Sequence, residues 1–91
     1  MMKNNTFFED PFIKILPSLD VHGETSDTVI FLVKDFVKMN KSLGKDKVII
    51  IHGRHSHILK DVIHNYLKKD KLVNKYYTYN FNDGITIVEI R

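Results

Sequence analysis

Short apolar runs alternate along this chain with two longer segments whose apolar residues recur every three or four positions. Leu19-Asp20-Val21-His22 follows Pro17 and closes at Gly23, which predicts a first strand. Thr25 or Ser26 can cap the next segment, and Asp27 suits the positive end of a helix. Val29, Leu32, Val33, Phe36 and Leu43 then fall on one helical face, with Lys34, Lys38 and Lys41 opposite and Gly44 as the stop. Phe31 breaks the pattern by projecting among the lysines, as a contact for the Phe-rich N-terminus or as partner surface. Val48-Ile49-Ile50-Ile51 is β-branched throughout and apolar on both faces, the mark of a central parallel strand. Ser56 can cap a second helix, with Ile58, Leu59, Val62, Ile63, Tyr66 and Leu67 on one face and Lys60, His64 and Lys68 on the other. Residues 72–81, with Tyr76, Tyr77, Tyr79 and Phe81, read as a third strand. Asn82-Asp83-Gly84 is the predicted turn, and Ile85 to Ile90 the last strand.

The order βαβαββ describes one α/β domain, an α+β two-layer sandwich whose four-stranded mixed sheet has both helices on one face. Residues 1–16 form an N-terminal arm holding Phe7, Phe8, Phe12, Ile13, Ile15 and Leu16, and residues 17–91 form the domain. The second sheet face is expected to be open unless the arm packs there or a homodimer forms through it.

Composition narrows the classes of function. Ninety-one residues suffice for one domain. Cysteine is absent, which excludes disulfide scaffolds, thiolate metal sites and cysteine nucleophiles. No apolar run approaches the roughly 20 residues of a membrane helix, so the expectation is a soluble, cytoplasmic protein with no membrane partner. Charge is unevenly spread: residues 1–33 hold two lysines against five acids, residues 34–91 twelve basic residues against six acids. Such a basic block points to a polyanion, nucleic acid first, although lysine-rich solvated surface gives the same count.

The candidate chemistry lies at two strand ends that look alike. Asp20-Val21-His22-Gly23 and Ile51-His52-Gly53-Arg54 each precede a helix, and ligands of open parallel sheets collect at the carboxyl ends of strands. Adjacent strands would bring Asp20, His22, His52 and Arg54 toward one small area, with Asp20 and His22 on a shared face. A carboxylate, two imidazoles and a guanidinium suit a phosphodiester: histidine shuttles protons, the carboxylate orients it or binds a metal, and Arg54 neutralises phosphate. The plainer reading also stands at this point, in which each histidine bonds a neighbouring backbone group and Asp20 satisfies turn donors. His52, His55 and His57 suggest a metal cluster, but their spacing matches no strong motif. The tyrosines and Phe81 could stack bases, and alternation must bury at least two of them.

Pro17-Ser18-Leu19-Asp20-Val21-His22-Gly23, Val48-Ile49-Ile50-Ile51-His52-Gly53-Arg54 with Leu59-Lys60, and Gly84-Ile85-Thr86-Ile87-Val88 together resemble the Smr (small MutS-related) domain. Its hallmarks are L-D-x-H-G, I-I-H-G-[KR]-G-x-G followed by L-R, and a final G-x-T-x-V strand, and the match runs from about Pro17 to Ile90. The resemblance implies a fold like the C-terminal domain of bacterial translation initiation factor three. It also implies RNA or DNA binding, in some members with endonuclease activity, in others at ribosomes. By motif, Asp20, His22 and His52 take the catalytic positions. Gly53, Arg54, His55, Ser56, His57 and Lys60 take the nucleic-acid-binding ones, with Lys34 and Lys38 added from the basic block. No cofactor is fixed, and a requirement for Mg or Mn stays open. Two departures bear on cleavage: His55-Ser56-His57 replaces G-x-G, and Leu59-Lys60 replaces L-R, which keeps charge but loses a bidentate fork. A binding module without catalysis is therefore the alternative, and a protein-binding subunit the third reading.

Overall fold

A computed structural model describes residues 15–55 and 57–91. Within them the chain runs β1 (Ser18–Asp20), α1 (Ser26–Ser42), β2 (Lys47–Ile51), α2 (His57–Lys69), β3 (Val73–Tyr79) and β4 (Asn82–Ile90). The strands lie in the order β1-β2-β4-β3. β1 and β2 are parallel, whereas β4 is antiparallel to both β2 and β3. This is the expected two-layer α+β architecture with a mixed sheet. The last strand in sequence is thus interior in space.

Local chemistry explains the helix ends. Thr25 caps α1: its hydroxyl oxygen accepts the Thr28 N–H at 3.2 Å. Asp27 sits in the first turn and Lys41 in the last, each matched to the helix dipole. Gly44, at φ +78°, ends the helix in the left-handed region. Leu43, expected on the buried face, is instead the exposed C-cap, and the inward positions go to Val37 and Asn40. Asn40 is tolerated there because its amide donates to the Phe36 carbonyl at 2.9 Å. Ile58 is likewise exposed, since α2 buries the narrower row Leu59, Ile63 and Leu67. Ser56 falls outside the described residues.

Alternation along β2 and β4 splits the apolar residues between two faces. Val48, Ile50, Val88 and Ile90 pack against α1 and α2, in a core with Val21, Val33, Ile63 and Leu67. Ile49, Ile51, Ile85 and Ile87 form a second cluster on the other face, with Leu16 and Tyr79 against it. All four isoleucines of that face are buried. Of the arm, only Ile15 and Leu16 lie within the described residues.

The hairpin differs from its sequence reading. The turn is Asn80-Phe81, with Tyr79 facing Asn82, and Asp83 and Gly84 already belong to β4. Gly84 serves closeness rather than turning: a Cβ there would lie 2.9 Å from the Gly53 carbonyl carbon and 3.0 Å from the Arg54 nitrogen. Among the described residues, no helix is long and apolar enough to cross a membrane.

Candidate functional site

Three loops meet at one end of the sheet: the chain after β1, the chain after β2, and the start of β4. The Gly84 carbonyl accepts the backbone N–H groups of His52 at 2.9 Å and Gly53 at 3.0 Å. Gly53, at φ +90°, adopts a backbone conformation that strongly favours glycine.

After β1, the Asp20 carboxylate turns back onto His22. One oxygen, Oδ1, lies 2.5 Å from the His22 ring Nδ1 and 3.1 Å from the His22 backbone nitrogen. Both groups stand in solvent, the His22 side chain 71% exposed. The hydrogen bond and charge of Asp20 raise the His22 pKa above the ordinary imidazole value. Because Nδ1 faces the carboxylate, it carries the proton of the neutral ring. Nε2 is left as the proton acceptor.

His52 occupies a different environment. Its ring is fully buried, with Nε2 2.9 Å from the Thr86 hydroxyl and Nδ1 3.2 Å from the Gly53 carbonyl. The same hydroxyl lies 2.8 Å from Nε2 of His64, whose ring stands edge-on to Tyr76 at 5.0 Å. A hydroxyl can donate to one imidazole and accept from the other, so one threonine satisfies both. Burial lowers the pKa of His52 and of His64, and Lys60 adds to both shifts. His64, assigned by periodicity to the lysine face of α2, is thus a half-buried partner of the site. In sequence Thr86 stands out only as part of the G-x-T-x-V strand pattern.

Strand register explains why the two histidines part. Leu19 pairs with Ile50 and Asp20 with Ile51. Continued by the Val21 N–H to Ile51 carbonyl bond of 2.8 Å, that ladder sets His22 beside Gly53 rather than His52. A Cβ at Gly53 would indeed lie 3.6 Å from the His22 Cβ. Asp20 and His22 accordingly face away from the helices, and His52 faces toward them. The four residues expected in one small area share one end of the sheet but divide between its faces.

Arg54 reaches the hairpin. Its Nε donates to the Asn82 side-chain oxygen at 3.3 Å and lies 3.6 Å from an Asp83 carboxylate oxygen. Arg54, His55, Asn80, Phe81, Asn82 and Asp83 line an open pocket of about 490 Å³. His55 and His57 are exposed, and Lys60 is half-buried on α2. Lys34 and Lys38 are exposed on α1, roughly 12 and 18 Å along its axis from Ser26. Among the described residues, no group of three or more His, Asp or Glu side chains is placed to hold a metal ion.

Comparison with known proteins agrees with this architecture. The family model of the Smr domain matches residues 19–91. Endonuclease MutS2 of Caldicellulosiruptor saccharolyticus is 36% identical over 77 residues, which is 81% of this chain and 10% of the relative. Endonuclease MutS2 of Caldanaerobacter subterraneus subsp. tengcongensis is 33% identical over 87 residues, covering 92% of this chain and 11% of the relative. The chain therefore spans about a tenth of the length of these proteins. In fold it is similar to the Smr domain of Thermus thermophilus MutS2, with a TM-score of 0.81 at 23% identity over 84% of this chain and 99% of that one. YdaL, a stand-alone small MutS-related protein from Escherichia coli, gives 0.76 at 23% identity, over 81% and 63% of the two chains. With the family model covering four-fifths of its length, the chain belongs to the Smr domain family.

Proposed function

We propose that the chain binds RNA or DNA at this end of the sheet and acts there as an endonuclease. The observation that supports hydrolysis is the solvent-facing Asp20–His22 pair, with 2.5 Å between carboxylate oxygen and ring nitrogen. In this reading His22 Nε2 takes a proton from a water molecule or a ribose hydroxyl as its oxygen attacks phosphorus. The P–O bond opposite breaks, and the leaving oxygen takes up a proton. Asp20 stabilises the imidazolium that forms, and Arg54 faces the phosphate charge. His52 acts as a positioning residue, because its ring braces the loop that presents Gly53 and Arg54. The name endonuclease borne by the MutS2 relatives agrees with this reading.

His55 and His57, where the family motif has glycines, favour a second reading: binding without cleavage, for example on ribosomal RNA. One experiment separates the two. Purified protein is incubated with labelled single- and double-stranded RNA and DNA, with and without Mg²⁺ or Mn²⁺. Cleavage that Asp20→Asn abolishes while affinity holds supports the nuclease. Salt-sensitive binding without cleavage supports the binding module. Cleavage unchanged by Asp20→Asn rejects the assignment of Asp20.

A further inference from the structure

We propose that the pocket between the His52-Gly53-Arg54 loop and the β3–β4 turn is a nucleobase subsite. In it Phe81 stacks on an unpaired base, and Arg54 holds the phosphate beside that base. The inference rests on the nucleic-acid-binding reading above and adds to it a preference for single-stranded segments.

Three observations converge on this pocket. The first is Phe81 itself, 81% exposed at the tip of a two-residue turn. Turn positions are ordinarily filled by Gly, Asn, Asp, Ser or Pro for conformational reasons, and backbone preference does not account for a phenylalanine in water there. Its ring stands near-perpendicular to that of Tyr79, centroids 5.5 Å apart. Tyr79 is in turn packed on the isoleucine cluster beneath. An aromatic plane is thereby held out from the sheet on a fixed support.

The second is the chemistry of the lining. One guanidinium, one carboxylate, one imidazole and two amides border an open pocket of about 490 Å³ beside the ring. A pocket meant for phosphate alone would not set Asp83 3.6 Å from the arginine. Amide and carboxylate groups around an aromatic wall instead supply the donors and acceptors that base edges require.

The third is rigidity. Gly84 accepts two backbone hydrogen bonds from the opposing loop and lies too close to it for a side chain. Arg54 is tied across the gap to Asn82. The backbones that carry Phe81 and Arg54 are therefore joined before any ligand arrives, which lowers the ordering cost of binding. A base within a duplex already has both faces stacked, so the site selects unpaired nucleotides.

Fluorescence anisotropy with labelled single strands, matched duplexes and single strands carrying abasic positions tests this. Phe81→Ala should weaken single-strand affinity about 5- to 150-fold, the usual loss of one stacked base. Duplex affinity and the unfolding midpoint should not change. On abasic strands the variant and the parent should bind alike. The chain has no tryptophan, so the indole introduced by Phe81→Trp reports directly: its emission should be quenched by single strands while affinity is retained. Equal single-strand affinity of Phe81→Ala and parent, with affinity lost in Arg54→Ala, overturns the subsite and leaves nucleic-acid binding intact. Failure of the parent protein to bind any oligonucleotide overturns both.

Discussion

His22 and His52 stand at the ends of neighbouring parallel strands, each followed by glycine, yet they are chemically opposed. Two residues before His22 is Asp20, two before His52 is Ile50. The first histidine lies in water against a carboxylate, with its pKa raised; the second lies under a helix against a hydroxyl, with its pKa lowered. A shared sequence pattern therefore does not give a shared role. The face of the sheet on which each ring lands assigns it, and register sets the face.

Breaking the comparison from both sides gives the largest expected effects. His22→Ala should reduce any cleavage rate by about 10²–10⁴-fold, the usual share of a general acid or base, and at a pH above the His22 pKa leave the urea midpoint where it was. His52→Ala should do the reverse in kind. Loss of a buried ring and its hydrogen bond should cost about 3 kcal/mol of stability in urea unfolding. If His52→Ala unfolds at the parental midpoint, the buried ring is not a brace and the contrast fails.

Thr86→Val is a smaller and sharper change. It keeps shape but strips the hydroxyl shared by His52 and His64. Two imidazole nitrogens would lose their partner, at a cost of about 1–2 kcal/mol in the same assay. A neutral result would mean that water replaces the hydroxyl.

How much of this was legible in sequence varies by element. The β-branched run of β2, the Val29–Phe36 face and the Thr25 cap are local signals, and each gave its element. Asp20 and His22 were also legible as a pair, because alternation joins residues two apart whatever the rest of the fold does. Contacts that depend on register were not. His64 lies about 100° around α2 from buried Ile63, on the boundary of its lysine row, and only the arrival of Thr86 and Tyr76 across the sheet makes it a partner. Gly84 looked like a turn glycine because Asp-Gly is a strong turn signal. Its actual constraint, the backbone of Gly53, is some thirty residues away in sequence.

The smallest predicted effect is on pH dependence, and its sign follows from the two environments. His52 and His64 have lowered pKa values when folded, so the unfolded chain takes up more protons as pH falls below about 6.5. Their contribution should make the protein less stable at pH 5.5 than at pH 7.5. Lys60 strengthens this for both rings, while Asp83 opposes it at His52 and Asp61 at His64. His22 works the other way: with its folded pKa raised, its contribution is present below the unfolded value and lost as pH rises through the folded one. Paired urea titrations should give a smaller acid loss in His64→Gln and a larger one in His22→Ala. Identical losses in parent and both variants would show that the two histidine environments are not thermodynamically distinct.

The interior place of β4 has a consequence for how the molecule comes to be. Within the sheet of the described residues, β1 and β2 on one side and β3 on the other are hydrogen-bonded only through that strand, which pairs with β2 and β3 at once. During synthesis the earlier strands and both helices emerge with the middle of the sheet missing. β2 must wait with one edge unpaired until β4 has left the ribosome. An unpaired edge of Val48-Ile49-Ile50-Ile51 is the kind that recruits another chain. The interval before β4 arrives is therefore when the nascent protein is most exposed to aggregation, and shielding that edge is what a chaperone would have to do.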